Sequence, residues 1–157
     1  MKYFALILLI FCMILSGCGR NGAAEERSLD AEVARIEAAL GGPQRFVRAD
    51  EDFTTNNFGK GVNGPGAVFF EEDGIGEWGV FVVSDAAKSA ALKTQLREYL
   101  DTQKNAVRSL ADLYPGDELQ ERLSLFENAS VGGEGGLVWY FALSEHDRAL
   151  AEQAMQK

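Results

Sequence analysis

The chain has 157 residues, of which 46% are hydrophobic and 25% are charged, and its formal net charge is −9 at pH 7. This length and hydrophobic content fit one globular domain with a core of its own. The acidic excess disfavours nucleic acid as a partner, because phosphate backbones repel an acidic surface. It equally disfavours attachment to anionic lipid headgroups through a basic patch.

The first predicted segment is an N-terminal signal peptide. Lys2 provides a short positive region, and the thirteen residues from Tyr3 to Leu15 are all apolar. A transmembrane helix would need about 20 apolar residues, and polar residues end this run too early. Residues 1–17 are therefore predicted to be a signal peptide.

A possible lipidation site follows this apolar run directly, in the tetrapeptide Leu15-Ser16-Gly17-Cys18. The tetrapeptide resembles the lipobox of bacterial lipoproteins, in which the cysteine thiol is diacylated and the chain is cut just before it. The resemblance implies cleavage between Gly17 and Cys18 and a diacylglycerol, with acyl chains such as palmitate, on Cys18. Two or three acyl chains hold a protein stably at a membrane. We therefore expect a lipid anchor on the extracytoplasmic face of the cell membrane, or on the outer membrane if the cell has two.

Lipidation would remove cysteine chemistry from the mature chain. Cys12 lies in the signal peptide, so Cys18 would be the one cysteine left. An acylated thiol forms neither a disulfide nor a metal or catalytic site. Cleavage also removes one lysine and no acidic residue, which moves the net charge from −9 to −10. Residues 18–27 are predicted to be a polar, lipidated tether and residues 28–157 a single globular domain.

The first predicted element of the domain is a helix that begins after the N-cap Ser28 and ends at Gly41-Gly42-Pro43. Residues 44–66 show no clean periodicity and predict a loop with a short helical turn. Two strands and a long helix follow: residues 67–71, residues 77–83, and a helix from the cap Ser84-Asp85 to about residue 112. The predicted apolar stripe of the long helix consists of Leu92, Leu96, Tyr99, Val107 and Leu110.

The second half of the chain repeats this order after a short predicted helix over residues 117–126. Two candidate strands and a final helix follow: residues 127–131, residues 137–143, and a helix from the cap Ser144-Glu145 to the C-terminus. A shift of 60 residues lays Phe81-Val82-Val83-Ser84-Asp85 over Phe141-Ala142-Leu143-Ser144-Glu145. Two related ββα units, or convergence on one pattern, would both produce this match. The predicted fold class is α+β, with an antiparallel sheet of about four strands built from two ββα-like units, helices packed on it and an additional N-terminal helix.

Several segments occur in an order that resembles a known family. They are the lipobox, Gly76-Glu77-Trp78-Gly79-Val80-Phe81 before Ser84-Asp85, Gln103-Lys104-Asn105, Leu113-Tyr114-Pro115, and Glu127-Asn128-Ala129 before a glycine turn. Over residues 30–155 the chain is similar to a family of small bacterial lipoproteins, common in Gram-positive bacteria, that carry a domain of unknown function. It departs from that family in the glycine-rich residues 59–66 and in a tryptophan where an aliphatic residue is more usual. The resemblance supplies no activity, cofactor or binding residue.

Two kinds of motif suggest ligand binding but have simpler explanations. Gly59-Lys60-Gly61-Val62-Asn63-Gly64 fits the pattern G-x-G-x-x-G, but a strand follows where a dinucleotide site needs a helix. We expect a flexible loop there. The acidic clusters Asp50-Glu51-Asp52 and Glu71-Glu72-Asp73, with Glu77 nearby, lack the alternating spacing of a calcium loop. They predict solvated turn carboxylates.

The candidate catalytic side chains are equally weak. His146 is the one histidine, and a zinc site would need further imidazole or thiolate ligands. Ser84 and Lys88 have a spacing that allows a Ser–Lys pair, but a helix-capping role explains Ser84 without chemistry. We therefore expect no catalytic residue, no metal site, no cofactor and no enzymatic activity.

The strands predict where a partner would bind. Residues 77–83 and 137–143 do not alternate apolar with polar side chains, so both faces of the sheet need cover. One face is predicted to carry Trp78, Val80, Val82, Trp139, Phe141 and Leu143, and the other Gly79, Phe81, Val83, Val138, Tyr140 and Ala142, or the complementary pairing. The long and C-terminal helices would cover one face, and the N-terminal segment or a partner the other.

The candidate interaction face is the one that carries Phe81 and Tyr140. We expect a non-catalytic module that binds another envelope protein or a second copy of itself. The alternatives are a small-ligand module associated with a transporter and, third, an envelope hydrolase.

Overall fold

The computed structural model of the chain describes residues 28–59, 64–72 and 74–156. The signal peptide, the tether and the cleavage and lipidation positions Gly17 and Cys18 lie outside the described residues. The described part forms an α+β domain with five α-helices, one 3₁₀ turn and one antiparallel sheet of five strands. The predicted fold class, including the N-terminal helix, is confirmed.

The elements have the following bounds. The helices are α1 (Leu29–Ala39), α2 (Glu51–Phe58), α3 (Ala86–Leu113), α4 (Asp117–Glu127) and α5 (Glu145–Met155), and the 3₁₀ turn covers Pro43–Arg45. The strands are β1 (Phe46–Arg48), β2 (Gly66–Glu71), β3 (Glu77–Val82), β4 (Ser130–Gly132) and β5 (Leu137–Ala142). Their order in the sheet is β1-β2-β3-β5-β4, and every neighbouring pair is antiparallel.

Capping residues visible in the sequence set several helix boundaries. The Asp85 carboxylate accepts a hydrogen bond from the Lys88 amide at the start of α3, and the Ser144 hydroxyl accepts one from the Asp147 amide at the start of α5. These bonds satisfy amides that have no partner within the helix. After α1 the chain turns at Gly41 with φ of 93°, a conformation that favours glycine.

Helices α1 and α5 cover one face of the sheet. Trp78 lies at the centre of this face, fully buried, with its ring stacked on Phe69 at 4.2 Å and edge-on to Phe46 at 6.0 Å. The buried residues of this face are Val33, Ile36, Leu40, Phe46, Ala67, Phe69, Trp78, Val80, Leu137, Phe141, Leu143, Ala151 and Met155.

Helices α2 and α3 cover the opposite face, and α4 packs against α3. Phe58, the last residue of α2, is fully buried, with its ring 5.3 Å from that of Phe81 and 4.9 Å from that of Tyr99. The buried residues here are Phe58, Val68, Phe81, Val83, Leu92, Leu96, Leu100, Val107, Phe126, Val138, Tyr140 and Ala142. The division of β3 and β5 between the two faces is therefore the first of the two pairings predicted.

The distribution of helices differs from the prediction. The long helix and the C-terminal helix lie on opposite faces, since Leu92 of α3 belongs to one core and Ala151 of α5 to the other. The N-terminal segment is also divided, because Ile36 of α1 joins α5 whereas Phe58 of α2 joins α3. Both faces of the sheet are apolar, and helices on each face bury most side chains of the central strands β3 and β5.

The match at a shift of 60 residues is a similarity of local pattern. It aligns Phe81 with Phe141, yet these two side chains belong to opposite cores. A two-fold axis that relates two neighbouring antiparallel strands runs perpendicular to the sheet and keeps each residue on its own face. The two hairpin-plus-helix units are therefore not related by such an axis, which favours convergence.

Residues 44–66 contain more structure than the sequence predicts. Strand β1 pairs with the end of β2, from Phe46 opposite Glu71 to Arg48 opposite Phe69. The eight-residue helix α2 begins after Asp50, whose carboxylate accepts a hydrogen bond from the Phe53 amide at 2.6 Å. Strand β1 has only three residues, which are too few to show an alternation of apolar and polar side chains in the sequence. Its extended conformation is stabilised by pairing with β2 instead.

Candidate functional site

The predicted interaction face is closed within the chain. Phe81 and Tyr140 are both 0% exposed, and Phe58 of α2 and Tyr99 of α3 pack against them. A partner would reach this face only by displacing α2 and α3. The prediction of Phe81 and Tyr140 as a binding surface is therefore wrong for this structure, because the segment before β2 forms a helix that completes the cover.

A buried carboxylate lies beneath α3 and α4 instead. Glu77, the first residue of β3, is 2% exposed and accepts a hydrogen bond from the Tyr140 hydroxyl at 3.0 Å. The Tyr99 hydroxyl of α3 also hydrogen-bonds to Glu77, and Arg122 of α4 acts on it electrostatically. The Nε of Arg122 is buried and has no hydrogen-bond partner among the described residues.

Gly79 makes room for this arrangement. It pairs with Tyr140 across β3 and β5, and a Cβ atom at Gly79 would lie 2.5 Å from the Tyr140 ring. The glycine therefore lets the tyrosine ring lie against the strand with its hydroxyl at Glu77. This explains, in part, a glycine in the interior of a buried strand.

The environment favours the neutral carboxyl. Burial raises the pKa of Glu77, and the hydrogen bonds from Tyr99 and Tyr140 and the charge of Arg122 oppose the rise. Burial and the neighbouring Glu77 raise the pKa of both tyrosines, so both remain hydrogen-bond donors. Since Glu77 and Tyr140 are closed to solvent, no substrate reaches them, and we assign this cluster to the stability of the fold.

A second ionic group joins three elements at the other side of the sheet. The Arg45 guanidinium donates hydrogen bonds to Glu71 and to Asp147, both at 2.6 Å, and to the Leu40 carbonyl at 3.2 Å. The bond from Arg45 lowers the pKa of Asp147. Glu71 of the second acidic cluster is therefore an ion-pair partner rather than a solvated turn carboxylate. The group ties the end of α1 and the end of β2 to the start of α5.

The remaining candidate residues from the sequence either have structural roles or do not come together in a site. Asp50 of the first acidic cluster caps α2, and His146 is exposed on α5. Within the described residues, no group of three or more histidine, cysteine or acidic side chains is placed to hold a metal ion. Of the G-x-G-x-x-G motif, residues 60–63 lie outside the described residues.

Ser84 and Lys88 do meet, with Nζ 2.9 Å from Oγ. A Ser–Lys pair needs an uncharged lysine as the base. Here the Lys88 ammonium also lies 3.4 Å from the carboxylate of Asp85, the residue that caps α3. The contact is therefore part of the α3 cap rather than a catalytic pair.

The described residues line two notable clefts. The larger, of about 560 Å³, lies beside α2 and is lined by Arg48, Glu51, Thr54 and Thr55 and by glycines around Pro65. The second, of about 290 Å³, lies between Ser84-Asp85 and the glycine turn before β5. The larger cleft has the volume of a small-ligand site, and one cation, one carboxylate and two hydroxyls line it.

The apolar surface that remains exposed is concentrated where α3 turns into α4. Leu113 is 71% exposed, Tyr114 is 69% exposed and Leu110 is 47% exposed, and we call these three residues the tip. Leu110 was predicted to belong to the buried stripe of α3, but Leu100 and Ala111 are buried instead. Sequence reasoning missed the tip, although three apolar residues within five positions at a helix end are a visible signal. Val47 of β1, on the edge of the sheet, is the other large exposed apolar residue among those described.

Comparisons with known proteins found no matching protein family, no matching curated protein and no matching solved structure. Among the described helices, none combines the length and the hydropathy needed to cross a bilayer.

Proposed function

We propose that the chain is an extracytoplasmic lipoprotein, anchored through lipid on Cys18, whose domain is a non-catalytic protein-interaction module that acts through the tip. The observation that carries this proposal is the exposure of Leu113 and Tyr114 beside each other. Contiguous exposed apolar residues on a folded domain commonly mark binding surfaces. The lipobox-like tetrapeptide at residues 15–18 supports the anchor and the envelope location.

The closed core supports a role without catalysis. Glu77, a buried carboxylate whose pKa burial raises, is only 2% exposed. The one nucleophile–base contact noted above, between Ser84 and Lys88, is exposed and ion-paired. Catalytic groups work where water is excluded and substrate comes within hydrogen-bonding reach. Glu77 is closed to substrate, and the Ser84–Lys88 contact, although beside the smaller cleft, is exposed to water.

Photo-crosslinking in intact membranes tests the proposal. A benzophenone amino acid replaces Leu113 in the full chain, and the same probe at Ala91, an exposed position in the first half of α3, is the matched control. We expect a discrete protein adduct from position 113 and none of that mass from position 91. Equal adducts from both positions, or none from either, would contradict a role of the tip in binding. In the same cells, Cys18→Ala is expected to release the chain from the membrane fraction.

The larger cleft favours a small-ligand module as the second candidate. Its volume of about 560 Å³ and its lining by Arg48, Glu51 and two threonines suit a small polar molecule with charges of both signs. Thermal unfolding of the purified chain with free amino acids as the probe tests this candidate. A rise in melting temperature that Arg48→Ala abolishes would favour it over protein binding.

A further inference from the structure

The segment that carries the tip has charge of one sign only. Residues 109–121 contain Asp112, Asp117, Glu118 and Glu121 and no lysine, arginine or histidine. All four carboxylates are exposed, and none forms an ion pair with another described residue. The three apolar residues of the tip therefore share a segment with four carboxylates that have no ion-pair partner among the described residues. The flanking Arg108 pairs with Glu127, and the flanking Arg122 acts on Glu77.

Helix capping explains only half of this charge. Asp117 and Glu118 lie in the first turn of α4, where the helix dipole favours acidic residues. Asp112 lies in the last turn of α3, where the dipole disfavours a carboxylate, and Glu121 lies beyond the first turn of α4. Asp112 in particular costs helix stability and gains no partner within the described part of the chain.

The negative charge of residues 109–121 distinguishes among the possible binding partners of the tip. Anionic lipid headgroups would repel four carboxylates, which opposes insertion of the tip into a membrane surface. Two copies of the chain meeting tip to tip would bring eight carboxylates together, and like charges across an interface are unfavourable. A partner with an apolar cleft and basic side chains around it has neither difficulty.

We propose that the tip docks into an apolar cleft, rimmed by lysine or arginine side chains, on a different protein of the envelope. Leu113 and Tyr114 fill the cleft, and the four carboxylates pair with its rim. A tyrosine is well suited to such an anchor, because its ring buries a large area at little cost in side-chain entropy. This inference rests on the proposed function and specifies the chemistry of the partner.

The experiment adds charge variants to the crosslinking from position 113 in intact membranes. One variant neutralises the segment with Asp112→Asn, Asp117→Asn, Glu118→Gln and Glu121→Gln. The matched control neutralises four exposed carboxylates elsewhere, with Asp52→Asn, Glu72→Gln, Glu98→Gln and Glu134→Gln. Thermal unfolding of both variants confirms that each is folded.

We expect neutralisation of the segment to lower the adduct yield at least about fivefold, and the control variant to leave it unchanged. Salt is expected to lower the yield of the parent chain as well, since raising it from about 0.1 M to about 1 M shortens the screening length from about 10 Å to about 3 Å. If neither variant nor high salt changes the adduct yield, the partner has no basic rim and this inference is wrong. The proposed function as a protein-interaction module would still stand. An adduct of twice the chain mass, an adduct with lipid, or no adduct at all would overturn this inference. Absence of any adduct would overturn the proposed function as well.

Discussion

Replacing Phe58 by alanine is expected to lower the free energy of unfolding by about 3–5 kcal/mol. Phe58 is fully buried, and its ring contacts the rings of Phe53, Phe81, Tyr99 and Tyr140. Its removal leaves a cavity between α2, α3 and the sheet, because the surrounding aromatic rings are held by their own packing. A loss of this size is a large part of the stability of an ordinary domain. Urea denaturation of the purified chain measures it through the midpoint and the slope.

Tyr114→Ala is the matched control for this prediction. Tyr114 is also an aromatic residue at the end of a helix, but it is 69% exposed, so its replacement is expected to change stability by less than about 0.5 kcal/mol. If Phe58→Ala were no more destabilising than Tyr114→Ala, α2 would not be an integral part of the cover over Phe81 and Tyr140. That outcome would reopen this sheet face as a binding surface.

Glu77→Ala is expected to destabilise the chain by about 2–4 kcal/mol, whereas Glu77→Gln is not. The alanine leaves the buried hydroxyl of Tyr140 without its acceptor. The glutamine keeps an acceptor for the tyrosine and removes only the ionisable group. Chemical denaturation of both variants at neutral pH separates the hydrogen-bonding role of Glu77 from its ionisation.

The dependence of stability on pH should distinguish the parent chain from Glu77→Gln. The folded-state pKa of Glu77 lies above its ordinary value of 4.5. The neutral carboxyl therefore contributes fully to stability below pH 4.5, and this contribution is lost as the pH rises through the folded-state pKa. We expect the parent chain to lose stability relative to Glu77→Gln as the pH rises above 4.5. Parallel profiles for the two proteins would contradict a raised pKa at Glu77.

The local parts of the fold could be predicted from the sequence. Asp85 and Ser144 precede apolar periodicity and cap two helix starts, because capping depends on a few neighbouring residues. Ser28 also lies directly before a helix start, but its side chain makes no capping hydrogen bond. The alternation of side chains along a strand likewise separated Trp78 from Phe81 correctly, since it depends only on position in the strand.

The parts that depend on distant residues could not be predicted. Arg45 meets Asp147 across 102 positions, and no local pattern indicates such a pair. The face that each helix covers follows from the packing of α1 on α5 and of α2 on α3, which apolar periodicity does not specify. For this reason Phe81 and Tyr140 looked available to a partner, although their apolar character serves the core.

At the tip, too, exposure depends on packing between distant residues and could not be predicted from the sequence. Leu110 continues the apolar stripe of α3 by spacing, but burial at that end depends on where α4 packs against α3. No sequence pattern distinguishes Leu113 and Tyr114 as exposed, because an apolar residue at a helix end has no local mark of exposure. The four carboxylates near them are visible in the sequence, but only the structure shows that all four are exposed and have no ion-pair partner among the described residues.

The central claim is that the partner contacts the tip rather than the sheet face that carries Phe81 and Tyr140. Thiol labelling of single-cysteine variants tests this claim most directly. With Cys18 acylated, Leu113→Cys and Ala91→Cys each introduce the one free thiol of the mature chain. We predict that the two thiols react at similar rates in the purified chain, since both positions are exposed. In intact membranes the thiol at position 113 should react severalfold more slowly while that at position 91 keeps its rate. Equal rates at both positions in intact membranes would contradict the account.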